Sequence, residues 1–264
     1  MLLHSFDNWL HALPNIWVFT LIPATLVIAV AIAPQIRRLI YRREIAKEVS
    51  DGAADAFKAI VTFTVFLLAF SLVLVQGHMH TAEEIVTKEA NTINTLDRQL
   101  WRLSGGPSGA SRRTLREYAQ SIVRDEWPTM AHSERAQETS RLLGELYGSI
   151  LSIDTTTNRE QSVYHQILVH LDELSDEREH RLESADEGLG NLYWGTVAGL
   201  AILLVILASL AQATAERAFA LGGLMCAAAL MVSLVVILNK PFTGETVVSP
   251  GPIERVVRAM EART

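Results

Sequence analysis

The sequence predicts an all-α integral membrane protein with four transmembrane helices and a long extramembrane helical insertion between the second and the third. Two observations carry this prediction. Four apolar runs contain no Asp, Glu, Lys or Arg. The 114 residues at 77–190 carry 12 basic and 20 acidic side chains, whereas the other 150 residues carry 11 and 9. We therefore expect one chain that is solvated partly by lipid and partly by water.

The apolar runs, at 16–33, 59–75, 192–211 and 218–238, have the length of membrane-spanning helices. They contain 17 to 21 residues, and about 20 residues cross roughly 30 Å of hydrocarbon. Since no Lys or Arg precedes the first run, we interpret it as a retained helix rather than a cleaved signal peptide. The predicted divisions are an N-terminal segment at 1–15, transmembrane helices 1 and 2 at 16–76 with a basic interfacial loop at 34–58, an acidic extramembrane helical domain at 77–190, a transmembrane hairpin of helices 3 and 4 at 191–238, and a C-terminal tail at 239–264.

Apolar residues follow helical spacing through the insertion. The pattern runs from Val86 to Leu103, and no breaker separates it from the second apolar run. We therefore expect the second spanning helix to extend out of the bilayer to Leu103. Further helices are predicted to begin near Ser111, Ser133 and Thr157, the last with a capping-box pattern.

Acidic residues are dense near the end of the insertion, at 172–179. Their spacing lacks the central Gly of a calcium-binding EF-hand loop, and Arg178 and Arg181 are interleaved with them. We interpret this stretch as a solvated helix face and expect no metal site.

Several function classes are excluded by composition. A net charge of −6 and 49% hydrophobic residues do not fit a disordered or a basic nucleic-acid-binding chain, so no nucleic-acid partner is expected. The single cysteine, Cys226, allows neither an intrachain disulfide nor a thiolate zinc site. Phosphate-loop, dinucleotide and metalloprotease motifs are missing, so we expect no cofactor. We also expect no enzymatic activity, because the apolar runs hold no acid, base or histidine.

Basic residues in the short loops predict the orientation. The first loop and the hairpin turn hold seven Lys or Arg residues, against four on the side of the termini. The positive-inside rule places the richer side in the cytoplasm. We therefore expect a multi-pass protein of the bacterial inner membrane, with the helical domain periplasmic or extracellular.

The second spanning helix carries two aligned patterns. Small or polar residues recur every seventh position, and phenylalanines follow beside them. A helix that faces only lipid has no use for polar positions. One interpretation is a pore helix with polar ends and an aromatic constriction that gates by dewetting. The other is interhelical hydrogen bonding with the rings in a packed core. The residues are Asp55, Thr62, Ala69 and Gln76, with Phe63, Phe66 and Phe70.

A short motif follows the fourth apolar run. Pro241 is expected to stop the helix, Phe242 to anchor at the membrane interface, and Gly244 to permit a sharp reversal. Glu245 is expected to cap a backbone group or to pair with Lys240. A structural use of this turn is favoured over ion binding.

Three stretches resemble the bacterial bestrophin-like membrane protein family, over nearly the whole chain. They are Lys88-Glu89-Ala90-Asn91, then Arg181-Leu182 with Gly188, Tyr193 and Trp194, and lastly the segment from Asn239 to Glu245 with Val248-Ser249-Pro250. The resemblance implies homopentameric anion channels whose second spanning helix lines an aromatic neck, a role that would fall on Phe63, Phe66 and Phe70. It also implies a cytosolic insertion, whereas the charge count places the insertion outside. Calcium gating is not implied.

Two function classes remain open. The first is a homo-oligomeric ion channel whose partners are the lipid bilayer, further copies of itself and inorganic ions of either sign. The pore interpretation requires an oligomer, because four helices are too few to enclose a path. The second is a non-conducting, membrane-anchored scaffold or sensor whose helical domain binds a partner protein.

Overall fold

A computed structural model describes residues 14–40, 45–103, 108–131, 134–211, 214–244 and 247–263. Every regular element among these residues is a helix. The elements are α1 (Asn15–Ile40), α2 (Lys47–Arg102), α3 (Ser108–Ser121), a π-helical turn (Ile122–Glu126), α4 (Trp127–Met130), α5 (Gln137–Leu151), α6 (Asn158–Asp186), α7 (Asn191–Leu210), α8 (Ala215–Leu238) and α9 (Gly251–Glu261).

Four helices are long and apolar enough to cross a membrane, and they coincide with the four predicted spans. They are α1, the first part of α2, α7 and α8. The connection between the first two is shorter than the predicted loop at 34–58. The reason is that α1 continues to Ile40 and α2 begins at Lys47, in a stretch rich in alanine and other good helix formers.

The extension of α2 beyond its spanning part is confirmed. The helix has 56 residues without interruption, which corresponds to about 84 Å at 1.5 Å per residue. The capping box at the start of α6 is also confirmed, since Thr157 Oγ1 accepts a hydrogen bond from the backbone N–H of Glu160 and the Glu160 carboxylate accepts one from the backbone N–H of Thr157. These features therefore follow directly from local sequence patterns.

The helical stretch that begins with α3 continues past Pro128 to Met130. A π-helical turn carries the chain into α4, and the Trp127 N–H donates to the carbonyl of Ile122. Pro128 lies in the first turn of α4, directly after the π-helical turn. The wide turn buries Ile122 and Glu126 together.

The chain forms two compact units. The membrane unit holds the described residues up to Gly77 together with Gly188–Asn239, and the extramembrane unit holds His78–Glu187 together with the described residues from Lys240 on. In the membrane unit α1 packs against α7 and α8. Its core is an apolar cluster drawn from all four spanning helices, including Val30, Phe57, Leu204 and Met225.

The extramembrane unit has its own apolar core, built by the second part of α2 with α3, α5 and α6. The predicted C-terminal tail is part of this core. Residues after Pro250 form α9, an amphipathic helix that buries Ile253, Val257 and Met260. Arg263 follows it and donates to Asp97 Oδ2 at 2.8 Å, so the segment is held by both apolar and charged contacts.

Candidate functional site

The predicted pore residues of α2 share one face of the helix, and that face is uncovered. The side chains of Phe63, Phe66 and Phe70 are each about three-fifths exposed, at 61, 61 and 62%. Thr62 and Gln76 are exposed beside them. The described part of the chain therefore does not bury the three rings in a packed core.

The opposite face of α2 holds the contacts with the rest of the membrane unit. Phe57, Val61, Leu68 and Val75 are almost completely buried. They belong to apolar clusters that also contain residues of α7 and α8. The helix is thus fixed to its own chain along one side, whereas no described residue of the chain covers the side with the phenylalanines.

Polar groups stand at both ends of this uncovered face. Lys58 Nζ lies 3.0 Å from Asp55 Oδ1, and Thr62 Oγ1 donates to the Lys58 carbonyl at 2.9 Å. The Thr62 hydroxyl therefore donates within its own helix, and among the residues that the structure describes it makes no hydrogen bond to another helix. At the other end Gln76 follows Asp55 by 21 positions, about 32 Å along the helix axis, which matches the roughly 30 Å hydrocarbon thickness.

The aromatic residues occupy the middle of the same face. Phe66 and Phe70 meet edge to face, with ring centroids 4.7 Å apart, a favourable geometry for aromatic pairs. Phe66 lies midway between Asp55 and Gln76 in the sequence. The face thus has an apolar, aromatic centre between two polar ends.

A second constellation, which sequence reasoning missed, lies in the extramembrane unit. Arg181 donates to Glu89 at 2.6 Å and to Glu126 at 2.7 Å, and Arg178 donates to the same Glu126 carboxylate. Side chains of Glu89, Glu126 and Arg181 are fully buried, and that of Arg178 is 7% exposed. Two arginines and two glutamates are therefore neutralised among themselves inside the helical core.

The ionisation of this cluster follows from its contacts. Burial alone would lower the pKa of Arg181, but Glu89 and Glu126 raise it above its usual range. Burial alone would raise the pKa of Glu126, but Arg178 and Arg181 hold it below its usual value. Arg181 and Glu126 consequently remain charged around neutral pH within this hydrogen-bonded network.

Glu177, on the same helix as both arginines, is also buried. It accepts a hydrogen bond from the Thr92 hydroxyl at 3.1 Å, and Lys88 Nζ lies 3.7 Å from its carboxylate. Burial raises the pKa of Glu177 in spite of these partners. The prediction of a solvated face was wrong for Glu177, Arg178 and Arg181, because helix α6 turns these positions toward α2 and the π-helical turn.

Trp127 connects this network with the turn after α8. The guanidinium carbon of Arg181 lies 5.6 Å from the centroid of the Trp127 ring, and the Phe242 ring packs edge-on at 5.4 Å. Phe242 is only 5% exposed and belongs to the core of the extramembrane unit. Its predicted role as an interfacial anchor is therefore wrong, because its ring is used in protein packing.

The reversal expected at Gly244 is present. Gly244 has φ of 97°, a left-handed conformation that favours glycine. Helix α8 ends at Leu238, ahead of Pro241, whose carbonyl accepts a hydrogen bond from the Val248 N–H at 2.8 Å. Glu245 lies outside the described residues.

Two of the stretches singled out in the sequence also meet in the membrane unit. The Leu189 N–H donates to Asn239 Oδ1 at 2.8 Å. A Cβ on Gly188 would lie 3.2 Å from Asn239 Nδ2, which is tighter than ordinary van der Waals contact. Asn239, buried at the end of α8, thus holds the segment that leads into α7 by accepting the Leu189 hydrogen bond.

Comparison with known proteins is consistent with this architecture. The sequence profile of the Bestrophin-like domain matches residues 14–253. No curated protein is significantly similar to the chain.

In the described residues no group of three or more His, Cys, Asp or Glu side chains is arranged to hold a metal ion.

Solved structures share the fold at low sequence identity. A crystal structure of a membrane protein that carries a proline-to-alanine substitution has a TM-score of 0.62 and 15% identity, and the match covers 94% of this chain and 97% of that one. A bacterial bestrophin homologue from Klebsiella pneumoniae that carries an isoleucine-to-threonine mutation has a TM-score of 0.60 and 16% identity, over 94% and 99%. The profile match spans most of the sequence, and so this multi-pass membrane protein belongs to the Bestrophin-like family.

Proposed function

We propose that the protein is a homo-oligomeric ion channel, with five subunits as the resemblance implies, whose path is lined by the uncovered face of α2. Membership of the Bestrophin-like family supports a channel-type membrane protein. The observation that carries the proposal is the arrangement of this face. Its aromatic centre, around Phe66, is uncovered and lies between polar ends about one membrane thickness apart.

The other spanning helices lack this combination in their exposed faces. Exposed side chains on α1 include Ile28 and Ile32, and those on α7 include Ile202 and Ile206. Such aliphatic surfaces suit contact with lipid tails, whereas charged or amide side chains do not. In the proposed ring, Asp55 and Gln76 face water at the two ends of the path, and the phenylalanines form a constriction where water is expelled from an apolar neck.

Planar bilayer recording of the reconstituted protein tests the proposal. We expect discrete currents from the unmodified protein, and a larger single-channel current from Phe66→Ala and Phe70→Ala, because a smaller side chain widens the constriction. Phe219→Ala is the matched control. It removes a ring that is 84% exposed on α8, away from the proposed path, and should leave the current unchanged.

Particle images of the detergent-purified protein separate the channel from its alternative. A ring of subunits around an axial hole agrees with the channel. A monomer or dimer without currents at any voltage, pH or calcium concentration contradicts it and favours the scaffold or sensor.

We further propose that the protein lies in the inner membrane with the extramembrane unit on the periplasmic side. The seven basic residues of the first loop and hairpin turn, against four on the other side, support this orientation. Whole-cell labelling with a membrane-impermeant maleimide tests it in a Cys226→Ala background. A cysteine at exposed Thr87 should react in intact cells and one at exposed Lys47 only after lysis. The reverse result would show the opposite orientation.

A further inference from the structure

The membrane unit has a small cleft where α1, α7 and α8 approach the hairpin turn. Its volume is about 30 Å³, room for two or three water-sized groups. The lining is aliphatic except at one position. It includes Val30 and Pro34 of α1, Ala208 of α7, and Arg217, Ala218 and Leu221 of α8.

Arg217 supplies the positive charge at this cleft. Its Nη2 donates to Asp51 Oδ1 at 2.6 Å, which orients the guanidinium. The group is partly exposed, with 42% of the side chain accessible. A guanidinium has five N–H donors in a fixed plane, and this geometry matches the oxygens of a phosphate group.

Arg37 provides a second and independent indication. It lies three positions after Pro34, and therefore on the same side of α1 as this lining residue. Its Nε is buried and has no hydrogen-bond partner among the described residues. Since arginine keeps its proton at physiological pH, a buried N–H without an acceptor is costly. An anionic oxygen at this place would satisfy it.

We propose that this cleft binds an anionic phospholipid, with the phosphate held by Arg37 and Arg217 and the adjoining hydrocarbon against the aliphatic lining. The arginines lie at the ends of spanning helices, the depth at which headgroup phosphates occur. The aliphatic lining offers nothing to a free phosphate ion but suits a methylene chain. The aliphatic lining therefore favours a lipid over inorganic phosphate as the occupant. The proposed lipid site does not depend on whether the protein conducts ions.

Native mass spectrometry of the purified full chain tests the proposal. Phosphatidylglycerol and phosphatidylcholine with the same acyl chains are titrated separately, and inorganic phosphate is added as a competitor. We expect tight binding of phosphatidylglycerol only, undisturbed by phosphate. Arg37→Gln should weaken it about tenfold, since a charge-assisted hydrogen bond is lost. Arg38→Gln is the matched control, because it removes an exposed charge next to Arg37 and should have little effect.

A second variant tests the cleft without altering its charge. Ala218→Leu places three more carbons in the cleft and should reduce binding of phosphatidylglycerol while the oligomeric state stays unchanged. If Arg37→Gln does not fold, the effect of Ala218→Leu on phosphatidylglycerol binding still tests the proposal. Equal binding of both lipids, equal losses from Arg37→Gln and Arg38→Gln, or binding of inorganic phosphate in place of lipid would each overturn the proposal. Dissociation of an oligomer by Ala218→Leu would instead identify the occupant as a second copy of the chain.

Discussion

Arg181 Nε donates a hydrogen bond to Glu89 Oε2 at 2.6 Å, and neither side chain has any solvent-accessible surface. These residues are 92 positions apart, so the contact fixes α6 against α2. A second carboxylate, that of Glu126, completes the charge balance of Arg181. Because the network is closed, the loss of one member leaves a buried charge without a partner.

Replacement of Arg181 by methionine should strongly destabilise the extramembrane unit. The variant leaves Glu89 and Glu126 without this partner in the core, and breaking a buried pair in this way costs about 3–5 kcal/mol. Thermal unfolding of the detergent-purified protein, together with hydrogen exchange of the α2 amides near Ile93, measures the effect.

Arg141→Gln is the control for this experiment. Arg141 pairs with Glu138 and Glu145, but all three side chains are about half exposed, and surface ion pairs contribute little to stability. A similar loss of stability in both variants would show that burial of the Arg181 pair is energetically unimportant.

The proposed path predicts which α2 positions meet water. In a Cys226→Ala background, cysteines at Thr62, Phe66 and Val73 should react with a small hydrophilic thiol reagent in reconstituted membranes. The reason is that the reactive thiolate forms only where water reaches the sulfur. Labelling followed by mass measurement gives the rate at each position.

Ile202→Cys serves as the reference for lipid exposure, since its side chain is about as exposed in the single chain as that of Phe66 and lies near the middle of α7. We expect its labelling to be at least about tenfold slower, because thiolate formation is suppressed in an apolar medium. Equal rates at Phe66 and Ile202 would show that the aromatic face of α2 lies in lipid.

Two buried glutamates of the extramembrane unit should make its stability respond to pH in opposite directions. The arginines hold the pKa of Glu126 below its usual 4.5. Its contribution to stability is therefore complete above pH 4.5 and is lost as the pH falls through the lowered value. Burial raises the pKa of Glu177 above 4.5, so its ionisation reduces stability as the pH rises through that region.

Glu177→Gln separates the two responses. The amide keeps an acceptor for the Thr92 hydroxyl but carries no charge. Melting temperatures measured between about pH 4 and pH 7 should show the variant more stable than the parent at the upper end of this range and indistinguishable at the lower end. Both proteins should lose stability at still lower pH, where Glu126 takes up a proton. A variant that is less stable at neutral pH would contradict the raised pKa.

Local sequence patterns predicted where the helices lie, but they did not predict which helices contact one another. Charge-free runs gave the four spans, and the capping box at Thr157 located the start of α6. These signals are contained within one turn or one span. The helix α9 was missed because a short segment with several charges resembles a solvated tail. Its apolar stripe can be recognised as a packing surface only once the core that it covers is known.

The buried charges show why the contacts between helices could not be predicted from the sequence. Arg181 and Glu89 both belong to stretches that carry the family resemblance, but their pairing depends on how α6 meets α2. A run of alternating acids and bases is usually a solvated face, and that general rule fails where a facing helix offers a matching charge. By contrast, the heptad spacing on α2 did predict that its polar and aromatic residues share one face, because periodicity determines the two sides of a single helix. It left open whether that face is covered.

The position of α9 has a consequence for the order of biosynthesis. Its residues Ile253, Val257 and Met260 share one core with the helices encoded before α7. That core stays open while the ribosome translates the roughly 70 intervening residues, which takes about 4–15 s at 5–20 residues per second. The extramembrane unit can therefore complete its packing only after all four spans have been synthesised, and its nascent apolar surface is a substrate for chaperones during that interval.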